Sequence, residues 1–412
     1  MLKRIPVKQL RIGMYIHEFC GSWYDHPFWR NAFMLDKPED LKDILSTGIK
    51  EVWIDIDKGL DVEGGEGGKS EKAIASEVDD TLARADAGSK IAPHADIAQE
   101  AARAVKICAQ SKQAIASMFH EARMGKALNA SDALPVVEEI TTSVVRNPGA
   151  LISLARLKDK DNYTYMHSVA VCALMVALAR QLGMDEEQTR QAGLAGLMHD
   201  IGKTMAPLEI INKPGKLTEA EFQIMKNHPI DGHIILLESK GMSDIARHVC
   251  LRHHEKVDGS GYPDKLTDGK IDLYAKMAAI CDVYDAITSI RAYKEGWEPA
   301  QSIRKMAEWS HGHFDWRIFE AFVRSMGIYP VGSLVRLASD RLGVVIGQTE
   351  QSLLTPKVKV FFSIKSNMRI PPEVLDLSKP ACKDKIVSHE DPEKWNIRDI
   401  QELWSDVSGA PW

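Results

Sequence analysis

The chain has 412 residues, a formal net charge of −6, and a composition of 44% hydrophobic and 27% charged residues. At roughly 150 residues per domain, this length predicts two or three units with real cores. The mild acidity argues against a protein that coats nucleic acid, and the longest apolar stretch, Val169 to Ala179, is far short of the ~20 residues that span a bilayer. The basic start MLKRIPVKQL is followed by no apolar segment, so no secretory signal is expected. Six scattered cysteines with no CxxC pair give no disulfide framework and no cysteine zinc site, and a reducing cytoplasm is the natural setting.

In chain order, residues 1 to about 58 alternate in the manner of strands, at Ile5-Pro6-Val7, Met14-Tyr15-Ile16 and Glu51 to Ile56. Between them Pro38 to Leu45 predicts a short helix stopped at Gly48. Trp23, Tyr24, Phe28, Trp29 and Phe33 read as the core of this small domain, with a ligand or partner surface as the alternative. The Gly-rich, charged run at 61–72 has almost nothing to bury, and a flexible linker is expected over 61–90.

From 91 to 327 the period is helical, with helices predicted near 94–127, 132–146, 150–157, 162–182, 187–200, 218–238, 243–254, 273–290 and 299–308. Gly183 and Asp185 read as a helix stop and the next N-cap. Val335 to Leu337, Val344 to Ile346 and Val358 to Val360 predict strands of a small β appendage over 328–380. A polar tail is expected at 381–412. The fold class is mainly α, with a small N-terminal α/β or β-rich domain, possessing its own boundary near residue 60, and a short C-terminal β element.

Seven of the 14 histidines lie between positions 167 and 254. His233 and His248 fit no pattern. His167, His199, His228, His253 and His254, with Asp200 and Asp282, place five imidazoles and two carboxylates on consecutive predicted helices. Packing accounts poorly for such a set, since each buried imidazole would need its own hydrogen-bond partner. Imidazole with carboxylate suits Fe, Mn, Zn or Ni, and the lack of thiolates fits iron or manganese. Seven donors exceed the usual need of one ion, so two ions sharing a carboxylate is the economical arrangement. Such pairs clamp a phosphodiester and generate a hydroxide nucleophile. Lys203, one turn after Asp200, faces the same cleft and suits a transition-state phosphate.

His199-Asp200-Ile201-Gly202-Lys203, His253-His254-Glu255 and Asp258-Gly259-Ser260-Gly261-Tyr262-Pro263 resemble the signatures of the HD-GYP family, bacterial cyclic di-GMP phosphodiesterases of the HD phosphohydrolase superfamily. Lys213 to Thr218, His228-Pro229, Asp282 to Ala286 and Thr288-Ser289 also match, in order, so the resemblance covers about 95–340. The N-terminal segment is similar to a small domain of unknown role that precedes many such catalytic domains. The resemblance implies a helical HD-type bundle. It implies that His167, His199, Asp200 and Asp282 hold one metal, and that Asp200 bridges to a second completed by His228, His253 and His254.

It further implies that Lys203, Asp285, Arg291 and Lys294 bind substrate, Asp285 accepting from a guanine edge or holding a basic neighbour. Gly261, Tyr262 and Pro263 form the GYP loop, linked in the family to contacts with partners, diguanylate cyclases among them. Where some members carry a third-metal Glu, this chain has Tyr163, a poor ligand with pKa ~10, which favours two metals. Ile290 and Ala292 replace the family's frequent Asp and Pro around Arg291.

The expected activity is metal-dependent hydrolysis of cyclic di-GMP to pGpG, and onward to GMP, using two divalent ions. Iron or manganese is the first choice, with nickel, cobalt, magnesium or zinc as alternatives. A phosphohydrolase for another nucleotide and a non-catalytic cyclic di-GMP-binding module are the rival readings. No nucleic-acid polymer and no membrane insertion are expected, and a homodimer is a further expectation.

Overall fold

The structure, a computed structural model, describes residues 1–20, 32–46, 49–62, 68–88, 95–157, 163–213, 215, 217–289 and 296–406. Its N-terminal sheet is formed by β1 (Leu2–Pro6), β2 (Tyr15–Phe19), β3 (Phe33–Met34), β4 (Glu51–Asp55) and β5 (Lys69–Ser70), in the order β3-β2-β4-β1-β5 with antiparallel pairing. Helix α1 (Pro38–Ser46) lies between β3 and β4, as its sequence predicts. Ile5, Met14, Ile16, Leu35, Ile44, Val52 and Ile54 make a small separate core. Trp53, alternating with Val52 and Ile54 along β4, turns the other way into the main helical core. Of the aromatics 23–33, only Phe33 is among the described residues, packed against the small core; Gly48 also lies outside them.

Much of the expected linker is a helix. Residues 71–86 form α2 (Glu71–Asp86), capped by Ser70, with Ile74, Val78 and Leu82 buried. These three recur every four residues, so one apolar stripe docks the helix on the bundle while the charged remainder faces water. The bundle continues with α3 (Ile97–Arg123), α4 (Ala130–Arg146), α5 (Pro148–Ala155), α6 (Tyr163–Gln181), α7 (Glu186–Met198), α8 (Leu208–Ile211), α9 (Glu219–Met225), α10 (His228–Glu238), α11 (Asp244–Arg252), α12 (Leu273–Thr288), α13 (Pro299–His313) and α14 (Trp316–Met326). The single helix expected over 218–238 is two, α9 and α10. Pro229, in the first turn of α10, has no N–H to continue the preceding ladder.

Helix α6 is the central rod. By length and composition it is apolar enough to cross a membrane, but every residue from Met166 to Ala179 is buried against protein. Helix α7 starts at Asp185 in a reciprocal capping box with Gln188, after Gly183 at φ +76°. It approaches α6 closely at Gly196, where a Cβ would stand 3.0 Å from the Val171 carbonyl oxygen. That approach brings His199 beside His167.

The C-terminal sheet comprises β6 (Leu334–Leu337), β7 (Arg341–Gly347), β8 (Lys357–Ser363), β9 (Met368–Asp376) and β10 (Ile386–His389), ordered β10-β6-β7-β8-β9. The expected polar tail supplies β10 and a last helix, α15 (Ile400–Ser405), whose Trp404 is buried in the main core. One buried aromatic anchors an otherwise polar segment.

Candidate metal centre

Five helices converge on one buried point, four of them near an end and α12 at its middle. His167 comes from the second turn of α6, His199 caps the C-terminus of α7, and Asp200 opens the 3-10 turn Ile201–Met205. His228 is the first residue of α10, His253 and His254 follow α11, and Asp282 lies within α12. His167, His199, Asp200, His228, His253 and Asp282 are each at most 2% exposed.

The backbone aims the imidazoles. Nδ1–H of His199 donates to the Gly196 carbonyl at 2.8 Å, that of His228 to Met225 at 2.7 Å, and that of His253 to Cys250 at 2.9 Å. A carbonyl can only accept, so each ring keeps its proton on Nδ1 and presents the Nε2 lone pair inward. The Nε2 atoms of His167 and His199 meet at 3.2 Å, as do those of His228 and His253.

Asp200 stands between these pairs. Its Oδ2 is 3.4 Å from both His167 Nε2 and His199 Nε2, while its Oδ1 is 3.3 Å from His228 Nε2 and 3.8 Å from His253 Nε2. Asp282 places Oδ1 3.0 Å from His167 Nε2 and Oδ2 3.8 Å from His254 Nδ1. Three overlapping groups, His167/His199/Asp282, His199/Asp200/His253 and His228/His253/His254, bring their donor atoms within 4.8 Å of one another. Asp200 Oδ1 is buried yet accepts no well-formed hydrogen bond. A buried carboxylate oxygen left so, amid inward imidazole lone pairs, fits divalent cations.

Protonation of the carboxylates, His253 and His254 agrees with that fit; at His199 burial is outweighed by Asp200 and Asp282, which raise it, and a bound cation would displace that proton. Burial alone would raise both carboxyls, but Lys203 and His199 hold Asp200 well below the usual range, and the His167 hydrogen bond with the neighbouring imidazoles does the same for Asp282. Burial, with His199 and His228 nearby, pushes His253 down to about 3; burial, His253 and His228 also lower His254. Ionised carboxylates and neutral imidazoles are the ligating forms.

Around the centre, Lys203 reaches in and pairs with Asp200 Oδ2, its side chain 13% exposed. Asp285, expected to accept from a guanine edge or to hold a basic neighbour, has such a neighbour in His167. It is buried behind His167, its Oδ2 accepting from Nδ1–H at 2.6 Å. One turn along α12 from Asp282, it sits on the same helix face and grips the other side of the same ring. Tyr163 stacks parallel to His167, ring centroids 5.7 Å apart. Arg291 and Lys294 lie outside the described residues. His233 stands apart from the cluster, its Nδ1 on the Arg247 carbonyl, and His248 is exposed.

The Gly261-Tyr262-Pro263 loop lies directly on the ligands. Tyr262 N–H donates to the His254 carbonyl at 3.2 Å, and its ring stacks on His254 at 4.7 Å. A Cβ on Gly261 would come within 2.5 Å of the Glu255 Cα and the His254 carbonyl oxygen, so only glycine fits. Glu255 is a residue whose role the sequence does not announce. Buried after His253-His254, it accepts the N–H groups of Asp264 at 2.7 Å and Leu266 at 2.9 Å, tying the far limb of the loop. Its signal is adjacency to the two histidines, a carboxylate in an otherwise buried turn.

A helical bundle that gathers imidazoles and aspartates from successive helices, with a His-Asp pair at its centre, defines a metal-dependent HD phosphohydrolase. Residues 147–318 match the HD domain, and residues 2–133 match a domain of unknown function, DUF3391. The chain is 51% identical over 409 residues to cyclic di-GMP phosphodiesterase PA4108 of Pseudomonas aeruginosa, covering 99% of this chain and 97% of that protein. It is 40% identical over 148 residues to the cyclic di-GMP phosphodiesterase response regulator RpfG of Xanthomonas campestris, 36% of this chain and 39% of that protein. It is also 37% identical over 171 residues to 3'3'-cGAMP-specific phosphodiesterase 1 of Vibrio cholerae, 41% of this chain and 39% of that protein. The chain belongs to the HD-GYP family of cyclic di-GMP phosphodiesterases.

Proposed function

We propose that this protein hydrolyses cyclic di-GMP to pGpG, and pGpG onward to GMP, at a centre of two divalent ions. The observation that carries the binuclear reading is Asp200, whose two oxygens face different imidazole pairs. His167, His199, Asp282 and Asp200 Oδ2 would hold one ion, and Asp200 Oδ1 with His228, His253 and His254 the other. Bound there, the ions would supply an activated water and neutralise phosphate charge.

The chain's own residues do the rest. Three backbone carbonyls and Asp285 fix the rings, so the donor set is formed before any ion or substrate arrives. Lys203, paired with Asp200, keeps its cation at the centre, where charge builds on a phosphoryl oxygen. Arg291 and Lys294 are assigned to the substrate phosphates or a guanine edge. The all-imidazole and carboxylate donor set supports iron or manganese. Six scattered cysteines with no CxxC pair support a reducing, cytoplasmic setting.

Identity to a 3'3'-cGAMP-specific enzyme favours a second reading, in which the mixed dinucleotide is also a substrate. The test is product analysis with Mn²⁺ or anaerobic Fe²⁺, offering cyclic di-GMP and 3'3'-cGAMP in parallel. Turnover of cyclic di-GMP with pGpG as the first product is expected. Turnover of 3'3'-cGAMP alone would replace the first reading by the second.

A further inference from the structure

Lysines on the stretch from Asp200 to His228 are held in different ways. Lys203 pairs with Asp200, and Lys213 pairs with Glu221. Lys226, the C-cap of α9, has no carboxylate partner among the described residues. Its Nζ lies instead over two aromatic rings, 4.8 Å from the centroid of Phe222 and 5.4 Å from that of Tyr262. The ring of Tyr262 stacks in turn on His254, and Lys226 is two residues before His228. One cation thus stands a single ring away from the candidate ligands.

Aromatic faces position a lysine but leave its N–H donors unsatisfied by any oxygen. The half-buried stem fixes where the ammonium points, so an external anion gains the charge without ordering the side chain from a free state. A cyclic dinucleotide carries two phosphates in one ring. When one occupies the metal centre, the other needs a cation of its own nearby. We propose that Lys226, held by Phe222 and Tyr262, binds the second, non-scissile phosphate of the cyclic dinucleotide. This rests on the cyclic di-GMP reading and gives the GYP tyrosine a part in substrate binding: it places the lysine.

The experiment compares full-length wild type, Lys226→Met and Lys226→Arg on three substrates. Cyclic di-GMP carries two phosphates. Bis(p-nitrophenyl) phosphate and the p-nitrophenyl ester of guanosine 5'-phosphate each carry one, the latter keeping the base. Methionine preserves an unbranched stem over the rings, and metal content is measured on each variant. A lost charge-assisted hydrogen bond predicts a rise in KM for cyclic di-GMP of about 10- to 100-fold. The kcat/KM of Lys226→Met should therefore fall at least tenfold more on cyclic di-GMP than on either single-phosphate ester, with Lys226→Arg restoring most of the difference. Equal losses on all three substrates would mean a merely structural lysine and overturn the proposal. A loss shared by the guanosine ester alone would place the contact on the base and overturn it as well. A wild type active on the esters but inert on cyclic di-GMP would overturn the substrate reading and this proposal together, an outcome distinct from an active wild type with an indifferent lysine.

Discussion

Asp285 Oδ2 accepts a 2.6 Å hydrogen bond from His167 Nδ1, while Asp282, one turn earlier on the same helix, faces Nε2 of that ring. Two carboxylates of α12 thus hold opposite edges of one imidazole. The first orients the ring, and the second stands on its ligand face.

That arrangement makes Asp285→Asn informative. The amide keeps the size but lacks the charge that favours a proton on Nδ1. Metal affinity or kcat should fall about 10- to 100-fold, the usual cost of losing such a support. Metal titration and kinetics at saturating metal separate the two effects. A variant that binds metal normally and loses only substrate affinity would return Asp285 to the substrate-binding role expected from the sequence.

Asp200→Ala removes the only carboxylate, among the described residues, that faces both imidazole pairs. Both ions should be lost or weakened together, and hydrolysis with them. Elemental analysis after anaerobic loading should approach two ions per chain for the wild type. Retention of two ions by the variant would show that Asp200 does not bridge. Tyr163→Phe should leave the wild-type count unchanged, since the phenol is stacked on His167 and is not counted among the ligands.

Gly261→Ala tests how closely the GYP loop is seated. The added methyl meets backbone atoms of His254, Glu255 and Lys256, each at 2.5 Å, and none of these is a flexible side-chain end. Overpacking of this kind costs about 1–3 kcal/mol. Urea denaturation should show that loss, and metal affinity should weaken because His254 is part of the contact. A variant of wild-type stability and metal affinity would mean the loop moves freely away from the ligands.

Glu298 predicts a pH dependence. Burial raises its carboxyl to about 7, against the N–H groups of Gln301 and Ala300, the Ser333 hydroxyl and Arg156. The folded state therefore holds a proton that the unfolded state, with a pKa near 4.5, has released. Between those values the native form binds more protons, so this group's stabilising contribution is complete below about 4.5 and is lost as pH rises toward and through 7. Glu298→Gln should flatten that part of the stability-pH profile, measured by denaturant unfolding from pH 5 to 8. An unchanged slope would place the titration elsewhere.

The candidate metal centre is legible in the sequence because its chemistry is written in residue types: histidines and aspartates gathered on successive helices are seldom there for packing. Long helices such as α6 and α7, with their Gly183 stop and Asp185 cap, are legible for the same local reasons. What escapes depends on partners distant in sequence. Helix α2 carries an apolar stripe at 74, 78 and 82, but the Gly-rich run before it extends the linker reading across it. Helix α14 has Ile318, Phe319, Phe322, Val323 and Met326 buried on one face, a strong signal masked by the strands that follow. Trp404 cannot be read as an anchor until its receiving core is known. The motif assigns Asp285 to substrate, although only the fold shows that α12 turns it toward His167. Nothing in the spacing of Phe222, Lys226 and Tyr262 announces their meeting, because Tyr262 arrives from another loop.

The central claim is that two ions at the Asp200 cluster hydrolyse cyclic di-GMP. Its most direct test returns Mn²⁺ stepwise to chelated, verified metal-free protein while pGpG is quantified. The account predicts no hydrolysis without metal, and activity that rises to a plateau at two equivalents per chain. Sustained conversion of cyclic di-GMP by the metal-free protein, or a plateau reached at one equivalent, would contradict it.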